Sequence, residues 1–199
     1  MKSYQFTHRD HANSLYRSLT DDAFYEALEN SIDKTNKNPH EGMLEYYDYS
    51  ILEAEKYGKL ILSEDHWGAS IWSVPSVMSG SVYSAKKQFL LDYLGERSKD
   101  TYCTISENMD RFTKPLVPDD AWYLSIIGVD PEHQGKGLGL QLIEPVLKEA
   151  DAAGVATYLE TYTPRNNSFY ERLGYIVSGT YHEPVTDAEY SVMVRKPVT

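Results

Sequence analysis

Three alternating glycines stand in the segment Gln134-Gly135-Lys136-Gly137-Leu138-Gly139, between an apolar run and a stretch with helical periodicity. Glycine permits positive φ and lets a ligand approach the backbone closely. The first N–H groups of a helix lack intrahelical partners, and the helix dipole makes that end positive. Such a turn binds anions, most often phosphate, and Lys136 adds a side-chain cation. A purely structural role for the glycines is the alternative.

Two common phosphate-binding patterns do not fit this turn. A Walker loop requires Gly-Lys-Ser or Gly-Lys-Thr, whereas Gly137 is followed by Leu138-Gly139. A G-x-G-x-x-G dinucleotide turn requires a third glycine where the sequence has Leu140 or Leu142. The predicted anion site is therefore of another kind.

Glu160 is the second candidate for chemistry, because it lies in the predicted strand 156–161 between Leu159 and Thr161. A carboxylate on a mostly buried strand is costly unless it is paired or used. Glu160 could act as a base, directly or through water. It could equally be a structural glutamate that binds a backbone group or an arginine.

The chain contains 17 Tyr, a quantity that suggests either an aromatic-lined pocket or an amphipathic surface. The six histidines are dispersed without a metal-binding pair, so we expect no metal site. The single cysteine, Cys103, excludes an intramolecular disulfide and fits a reducing compartment. No basic neighbour flanks this thiol, which argues against a nucleophilic role.

The apolar run Trp122–Val129 predicts a central strand buried on both faces, directly before the glycine turn. Downstream of the turn we predict a helix at 140–153, a strand at 156–161, a short helix at 166–173 capped by Asn166, and strands at 175–179 and 190–194. Upstream we predict a strand at 1–7, helices at 9–32, 41–57, 84–94 and 99–112, and a hairpin of strands 59–63 and 68–74. This order predicts a single mixed α/β domain.

The chain has 199 residues and a net charge of −11, from 19 Lys and Arg and 30 Asp and Glu. This balance argues against a general nucleic-acid binder and against adhesion to anionic lipid. The first 15 residues contain no apolar segment, and no apolar run reaches about 18 residues, so we expect neither a signal peptide nor a transmembrane helix. We expect a cytoplasmic protein.

The residues Val129–Gly139 resemble the acetyl-CoA-binding signature of the GCN5-related N-acetyltransferase (GNAT) superfamily, (Q/R)-x-x-G-x-(G/A). The run Asn166–Tyr175, with Tyr170 four residues before Gly174-Tyr175, resembles the second signature of that family. Across Trp122–Tyr175 the chain is also similar to puromycin N-acetyltransferases. The strong resemblance covers roughly the last 40% of the chain. It implies an acceptor-site half, residues 1–115, and an acetyl-CoA-binding half, residues 116–199.

The resemblance implies a mostly antiparallel central sheet with helices on both faces, splayed between the strands that hold Val129 and Glu160. Acetyl-CoA would then be the co-substrate, with no metal. Its pyrophosphate would lie on the N–H groups from Gln134 to Gly139, and its pantetheine arm along the edge of Ile127, Gly128 and Val129. Asn166, Ser168 and Arg172 are further candidate cofactor contacts.

For the chemistry, the resemblance implies direct transfer of the acetyl group to an amine, with a backbone N–H near Val129 stabilising the oxyanion. Tyr170 occupies the position of the general acid that protonates the leaving thiolate; its alternative role is packing against the sheet. Tyr46, Tyr47 and Trp72 would line an acceptor pocket through cation–π contacts, or belong to the core.

The acceptor is expected to be a small-molecule amine, and a cationic one because acidic residues accompany the tyrosines of helix 41–57. A protein or peptide acceptor, and a catalytically silent acyl-CoA-binding module, are the alternatives. We expect a monomer or a homodimer.

Overall fold

The computed structural model describes residues 3–198. The helices are α1 (Arg9–Ser18), α2 (Ala23–Ser31), α3 (Pro39–Tyr57), α4 (Gly80–Phe89), α5 (Glu96–Thr113), α6 (Leu138–Ala153) and α7 (Asn167–Arg172). The strands are β1 (Gly58–Leu62), β2 (Gly68–Ser73), β3 (Trp122–Val129), β4 (Thr157–Thr161), β5 (Ile176–Glu183) and β6 (Ala188–Arg195). A π-helical turn at Leu90–Leu94 joins α4 to the loop before α5, and short 3-10 turns span Lys114–Leu116, Pro131–His133 and Pro164–Asn166.

The strands form one six-stranded sheet in the order β1-β2-β3-β4-β6-β5. Every neighbouring pair is antiparallel except β3 and β4, which run parallel. The predicted mixed, mostly antiparallel sheet is therefore confirmed. The glycine turn and α6 form the crossover that a parallel pair requires.

Helices cover both faces of this sheet, as predicted. On one face, α1, α2 and α3 bury Leu15, Leu28 and Ile51 against Ile71 of β2 and Ile126 of β3. α5 also contributes to this face, where Ile105 and Met109 pack on Val192 and Val194 of β6. On the other face, α6 and α7 pack on Trp72, Leu124 and Leu159 through Ile143, Val146 and Tyr170. We call these the α3 face and the α6 face.

The first segment of the chain corrects one prediction, because residues 3–7 form no strand. Instead, Asp48 of α3 binds this segment through side-chain contacts. It accepts hydrogen bonds from the hydroxyl of Tyr4 at 2.7 Å and from the backbone N–H groups of Thr7 and His8. These side-chain bonds replace the backbone ladder that a strand would need. Met1 and Lys2, also in the predicted strand, lie outside the described residues.

The predicted helix 9–32 is two helices, separated by residues 19–22. Asp22 produces the break, because its carboxylate caps α2 by accepting from the backbone N–H of Phe24 at 3.0 Å. An aspartate in this position favours the start of a new helix over continuation of the previous one. The other elements agree with the prediction within a few residues, although β5 and β6 are longer than predicted, and Pro145 lies inside α6 beyond its first turn.

Candidate active site

The parallel contact between β3 and β4 is short. It consists of three residue pairs and ends at Leu124 opposite Leu159. Beyond that point β3 remains paired with β2 as far as Val129, and β4 remains paired with β6 as far as Thr161. The facing edges of β3 from Ser125 onward and of β4 from Glu160 onward are therefore unpaired. We call this opening the gap; it is the splay that the resemblance implied.

A β-bulge in β3 lies where the gap begins. Ile71 pairs with Ile126 and Trp72 with Leu124, so Ser125 is an extra residue on β3. A bulge bends its strand and increases the local twist. It also changes the face on which side chains lie: Leu124 packs on the α6 face and Ile126 on the α3 face. The bulge thus accounts for the departure of β3 from β4.

The backbone of β3 directs hydrogen-bonding groups into the gap. Asp130 donates its N–H to the carbonyl of Trp67 on the β2 side at 2.7 Å. Because backbone groups alternate between the two edges of a strand, those of Val129 and Ile127 face the gap. The carbonyl of Val129 accepts from the side-chain amide of Gln134 at 2.8 Å. The N–H of Val129 remains directed into the gap.

Gly128 has a packing role. A Cβ at this position would collide with Ser18 Oγ and come within 2.9 Å of Leu15 Cδ2 of α1. The absence of a side chain lets α1 rest directly on β3 beside the gap. Gly128 was predicted to contact the cofactor. Its backbone groups face β2, because backbone groups alternate between the two edges of a strand and those of Ile127 and Val129 face the gap.

The glycine turn has the geometry expected of an anion site. Gly135 and Gly137 both have φ of +75°, and a Cβ on either would meet no atom within 4 Å. Gly137 is the N-cap of α6 and makes no side-chain cap bond, so the first N–H groups of the helix, at Leu138 and Gly139, are left for a ligand. Lys136 is exposed, and its ammonium binds the carbonyl of Glu132 at 3.2 Å.

Gln134, predicted to contact the cofactor, already has partners within the protein. Its backbone N–H points back to the carbonyl of Pro131 at 3.4 Å, and its side chain is bound to Val129. Gln134 therefore fastens the turn to the end of β3. The N–H groups available to a phosphate begin at Gly135.

Tyr170 of α7 lies at the closed end of the gap. It is 6% exposed and packs in one cluster with Leu124 and Leu159, the last paired residues of β3 and β4. Burial raises the pKa of its phenol, and the phenol of Tyr175 and the carboxylate of Asp22 raise that pKa further. The hydroxyl therefore keeps its proton throughout the physiological pH range, as a proton donor must.

The start of α7 corrects one prediction and adds a residue. Asn166 lies at the N-cap position, but it is exposed and makes no side-chain cap bond, because the 3-10 turn before α7 gives it helical backbone angles. Ser168 and Arg172 are also exposed. The next residue, Asn167, has a buried Oδ1 with no hydrogen-bond partner. An unpaired buried acceptor is costly, and an amide N–H of a bound ligand would satisfy it.

A cavity of about 710 Å³ adjoins the gap on the α3 face. Ser125 and Ile126 of β3 and Glu160 of β4 belong to both the gap and the cavity wall. Eight of the 17 tyrosines line the cavity: Tyr25, Tyr46, Tyr57, Tyr83, Tyr102, Tyr123, Tyr158 and Tyr162. The aromatic-lined pocket suggested by composition is thus present.

Glu160 is held firmly in the cavity wall. One carboxylate oxygen accepts from the hydroxyl of Thr113, and the other accepts from the phenol of Tyr123 at 3.0 Å. The Tyr123 ring stacks on Tyr158 with centroids 4.7 Å apart. Burial raises the pKa of Glu160, and the two hydrogen bonds oppose that rise. Both oxygens have partners, so the structural alternative for Glu160 has direct support.

The three residues predicted to bind the acceptor differ in position. Tyr46 lines the cavity, but a cation already lies over its ring: Lys86 Nζ is 5.0 Å from the ring centroid. Tyr47 is 1% exposed, packs against Tyr25 in the core, and is not among the cavity-lining residues. Trp72 is among the cavity-lining residues, but it is only 1% exposed, and its side chain packs on the α6 face with the indole N–H bound to Ser70 Oγ at 3.1 Å.

Lys86 therefore occupies the place predicted for the cation of the acceptor. Its ammonium donates to Ser50 Oγ at 2.9 Å and to Glu53 Oε2 at 3.3 Å, and it lies 5.2 Å from the ring centroid of Tyr49. The second oxygen of Glu53 is buried without a partner. Sequence reasoning missed this lysine because nothing in its local sequence brings it to α3.

Asp22 also lines the cavity, and it too was missed. Burial raises its pKa to about 6, although the N–H groups of Phe24 and Tyr25 favour the carboxylate. The signal was present in the sequence: an aspartate directly before the apolar spacing of α2 is an N-cap pattern.

Within residues 3–198, no group of three or more His, Cys, Asp or Glu side chains is arranged to hold a metal ion. None of the helices in that range has the length and apolar character required to cross a bilayer.

Comparisons with known proteins agree with this geometry. Residues 99–177 match the family model of the acetyltransferase (GNAT) domain. Similar solved structures include arylalkylamine N-acetyltransferase 2 from Aedes aegypti, with 19% identity, coverage of 95% of this chain and 94% of that chain, and a TM-score of 0.61. Another is described as histone acetyltransferase HPA2 and related acetyltransferase from Corynebacterium glutamicum. It has 18% identity, coverage of 100% of this chain and 96% of that chain, and a TM-score of 0.62.

A third is Chaetomium thermophilum Naa20 in complex with a bisubstrate analogue. It has 15% identity, coverage of 99% of this chain and 87% of that chain, and a TM-score of 0.51. At these identities the structures establish the fold. The chain as a whole has the GNAT fold, and residues 99–177 match the GNAT acetyltransferase domain.

Proposed function

We propose that this protein transfers the acetyl group of acetyl-CoA to the amine of a small molecule. The observation that carries the proposal is the shared wall of the gap and the cavity, at Ser125, Ile126 and Glu160. A thioester held in the gap would meet an amine held in the cavity. Holding two reactants together in this way supplies about 7–11 kcal/mol of the barrier in favourable cases.

On the donor side, the residues present fit acetyl-CoA. The N–H groups from Gly135 to Gly139 would receive its phosphates, and the open edge of Ile127 and Val129 would pair with its pantetheine amides. Asn167 Oδ1 offers an acceptor that the protein itself leaves unpaired. Ser168 and Arg172 are exposed on the same helix and would contact solvent-facing parts of the ligand.

Two groups would support the transfer itself. The N–H of Val129 faces the gap and would stabilise the oxyanion that develops on the thioester carbonyl. Tyr170 retains its proton and would donate it to the leaving thiolate. Acetyl-CoA supplies the activated acyl group, and the protein supplies position, charge stabilisation and a proton.

The cavity favours a small amine with an apolar or aromatic body. Its volume of about 710 Å³ lies within the usual range of small-molecule sites. Five acidic residues line it against three basic ones, so a cationic acceptor is favoured: Asp22, Glu53, Glu107, Asp110 and Glu160 against Lys86, Lys87 and Lys114. Similarity to an arylalkylamine N-acetyltransferase supports the same class.

Similarity to Naa20 keeps a peptide acceptor as the second candidate. A panel assay decides between them. The purified protein is incubated with acetyl-CoA and phenethylamine, tyramine, tryptamine, spermidine, puromycin, or peptides with a free N-terminus or lysine, while free CoA thiol and the acetylated product are measured. Puromycin is included because the C-terminal half resembles puromycin N-acetyltransferases.

We expect turnover of small aromatic amines. Turnover of peptides alone would replace the proposal with its second candidate. Binding of CoA without turnover of any panel member would indicate a silent acyl-CoA-binding module. A neutral amide and an alcohol of similar size complete the panel, and faster turnover of either than of the amines would contradict a cationic acceptor.

A further inference from the structure

The cavity holds five carboxylates, and they differ in what they bind. Glu53 pairs with Lys86, Asp110 pairs with Lys114 at 2.6 Å, and Glu160 accepts from two hydroxyl groups. Glu107 is exposed on α5. Asp22 is partly buried, and within residues 3–198 no cation lies at ion-pair distance from it; its bonding partners are backbone N–H groups at the start of α2.

The position of Asp22 connects the cavity with α7. The residue before it, Asp21, lies 3.8 Å from Arg165 in the turn between β4 and α7. Two residues after it, Phe24 packs in the same cluster as Tyr162, directly beyond β4. The start of α2 therefore faces the connection that leads to Tyr170. The charge of Asp22 accordingly contributes to the raised pKa of the Tyr170 phenol, after burial and the Tyr175 phenol.

We infer that Asp22 is the catalytic base that takes a proton from the ammonium form of the acceptor; this inference rests on the proposed function. In the step, an N–H bond of the ammonium breaks and the proton joins an Asp22 oxygen. The nitrogen lone pair forms the C–N bond to the thioester carbonyl. The C–S bond then breaks, its electron pair goes to sulfur, and Tyr170 gives the thiolate a proton.

The protons balance over the cycle. Tyr170 recovers its proton as the nitrogen loses its second one, and Asp22 releases its proton to solvent. The products are the acetylated amine, CoA thiol and one proton. Glu160 becomes a positioning residue that orders Tyr123 and Thr113 in the cavity wall.

The electrostatic setting of Asp22 suits a base at neutral pH. The titratable groups that face it are Tyr25 of its own helix, Tyr47 of α3, Tyr162 after β4, and Tyr170 of α7; Asp21 and Arg165 lie at the exposed side. The phenols remain neutral because burial raises their pKa values. Asp22, with a pKa of about 6, is therefore the group of this set that ionises between about pH 5 and 8.

The test compares Asp22→Asn with Asp33→Asn. Asparagine is as good an N-cap as aspartate, so the variant removes the charge and keeps the cap. Asp33 is a matched control, because its carboxylate also accepts the N–H two residues ahead, at 2.9 Å, and it is not among the cavity-lining residues. The assay uses the fastest amine of the panel and records kcat/KM from about pH 5 to 9. Acetyl-CoA affinity and melting temperature are measured in parallel.

In the wild type we expect kcat/KM to rise with pH through about 6. In Asp22→Asn we expect that rise to disappear, kcat/KM to fall about 10²- to 10⁴-fold, and acetyl-CoA affinity to be unchanged. The pKa of Asp22 in the folded protein exceeds the ordinary aspartate value of 3.8, so the wild type loses stability as pH rises from 3.8 to about 6. Asp22→Asn should therefore melt higher than the wild type at pH 8, and Asp33→Asn should not.

Three results would overturn the inference. One is an active wild type together with an Asp22→Asn variant of equal kcat/KM. Another is that the rise of kcat/KM with pH disappears in Glu160→Gln and persists in Asp22→Asn. The third is a lower melting temperature for Asp22→Asn at pH 8, which would make Asp22 a structural cap. If the wild type bound acetyl-CoA and acetylated no amine, the proposed function itself would fail, and the inference with it.

Discussion

The donor side of the gap and the acceptor cavity are built in different ways. The donor side is formed by backbone groups of one continuous segment, from Ile127 to Gly139, and in its turn the side chains of Gln134 and Lys136 are exposed. The cavity is formed by side chains that come from α2, α3, β2, α4, α5, β3 and β4, between Asp22 and Tyr162. A backbone site recognises a constant ligand and tolerates little change in main-chain angles. A side-chain site can alter its ligand preference through substitutions that leave the backbone in place.

The largest effect is expected at Tyr170, at the closed end of the gap. Tyr170→Phe removes the proton donor and leaves the donor backbone intact, so kcat should fall about 10²- to 10⁴-fold with unchanged acetyl-CoA affinity. Steady-state kinetics and calorimetry measure the two quantities. Tyr181→Phe, on β5 outside the cavity, should retain full activity. A Tyr170→Phe enzyme within about twofold of the wild-type kcat would remove the general-acid role.

A second effect tests the cavity as a side-chain structure. Lys86→Met leaves the partly buried Glu53 without its cation, so the free energy of unfolding should fall by about 1–3 kcal/mol. The KM for the acceptor should change and the KM for acetyl-CoA should not. Lys87→Met, at the exposed neighbouring residue, should stay within about 0.5 kcal/mol.

Chemical denaturation provides the measurement, and the double variant Glu53→Gln/Lys86→Met should recover part of the loss. If acetyl-CoA binding weakened as much as acceptor binding, the separation between the two regions would be wrong.

A third effect tests the donor side as a backbone structure, using both ends of α6. Gly137→Ala and Gly154→Ala both place a Cβ at positive φ, +75° and +69°, with no atom within 4 Å. Each should cost about 1 kcal/mol of stability. Only Gly137→Ala should also weaken acetyl-CoA binding, by about tenfold or 1.4 kcal/mol, because the backbone N–H groups of the turn around Gly137 would face the ligand.

Binding calorimetry at matched temperature measures the difference. Equal acetyl-CoA affinity in the two variants would argue that the turn at Gly137 only connects β3 to α6.

The smallest effect is expected for Lys136→Ala. The ammonium is exposed and already bound to a carbonyl, so it should contribute no more than about 1 kcal/mol to acetyl-CoA binding. The KM for acetyl-CoA should rise by about two- to fivefold, and the difference should shrink as salt is added. A loss that persists at high salt would mean that a side chain holds the phosphates, against the backbone character of this region.

The same contrast explains which features could be predicted from sequence. The glycine turn, the strand before it and Tyr170 lie within one short segment, where local spacing carries the information. The sheet could be predicted because its apolar runs are distinct, and the gap because of the family resemblance. By contrast, Lys86 reaches Tyr46 across 40 residues, and Glu160 meets Thr113 across 47. Such pairings depend on how α3, α4 and α5 pack, which no local pattern records.

Two further features show the limits of local sequence. Tyr47 and Trp72 are the right type of residue for an aromatic pocket, but both large side chains are buried in the core, and of the two only Trp72 is also among the cavity-lining residues. Asp22 was missed because the spacing of apolar residues continued across it, although its capping chemistry marked the end of one helix and the start of the next. Here a local polar signal outweighed hydrophobic periodicity.

The contact of α1 with Gly128 has a mechanical consequence. That residue has no side chain, so α1 rests on β3 through Ser18 and Leu15 without an intervening layer. α1 ends at Ser18, and Asp22 follows four residues later. α1 thus connects the β3 edge of the gap, through its contact with Gly128, to the short segment that carries Asp22 of the cavity wall. A side chain added at Gly128 would push against the helix that leads to this carboxylate.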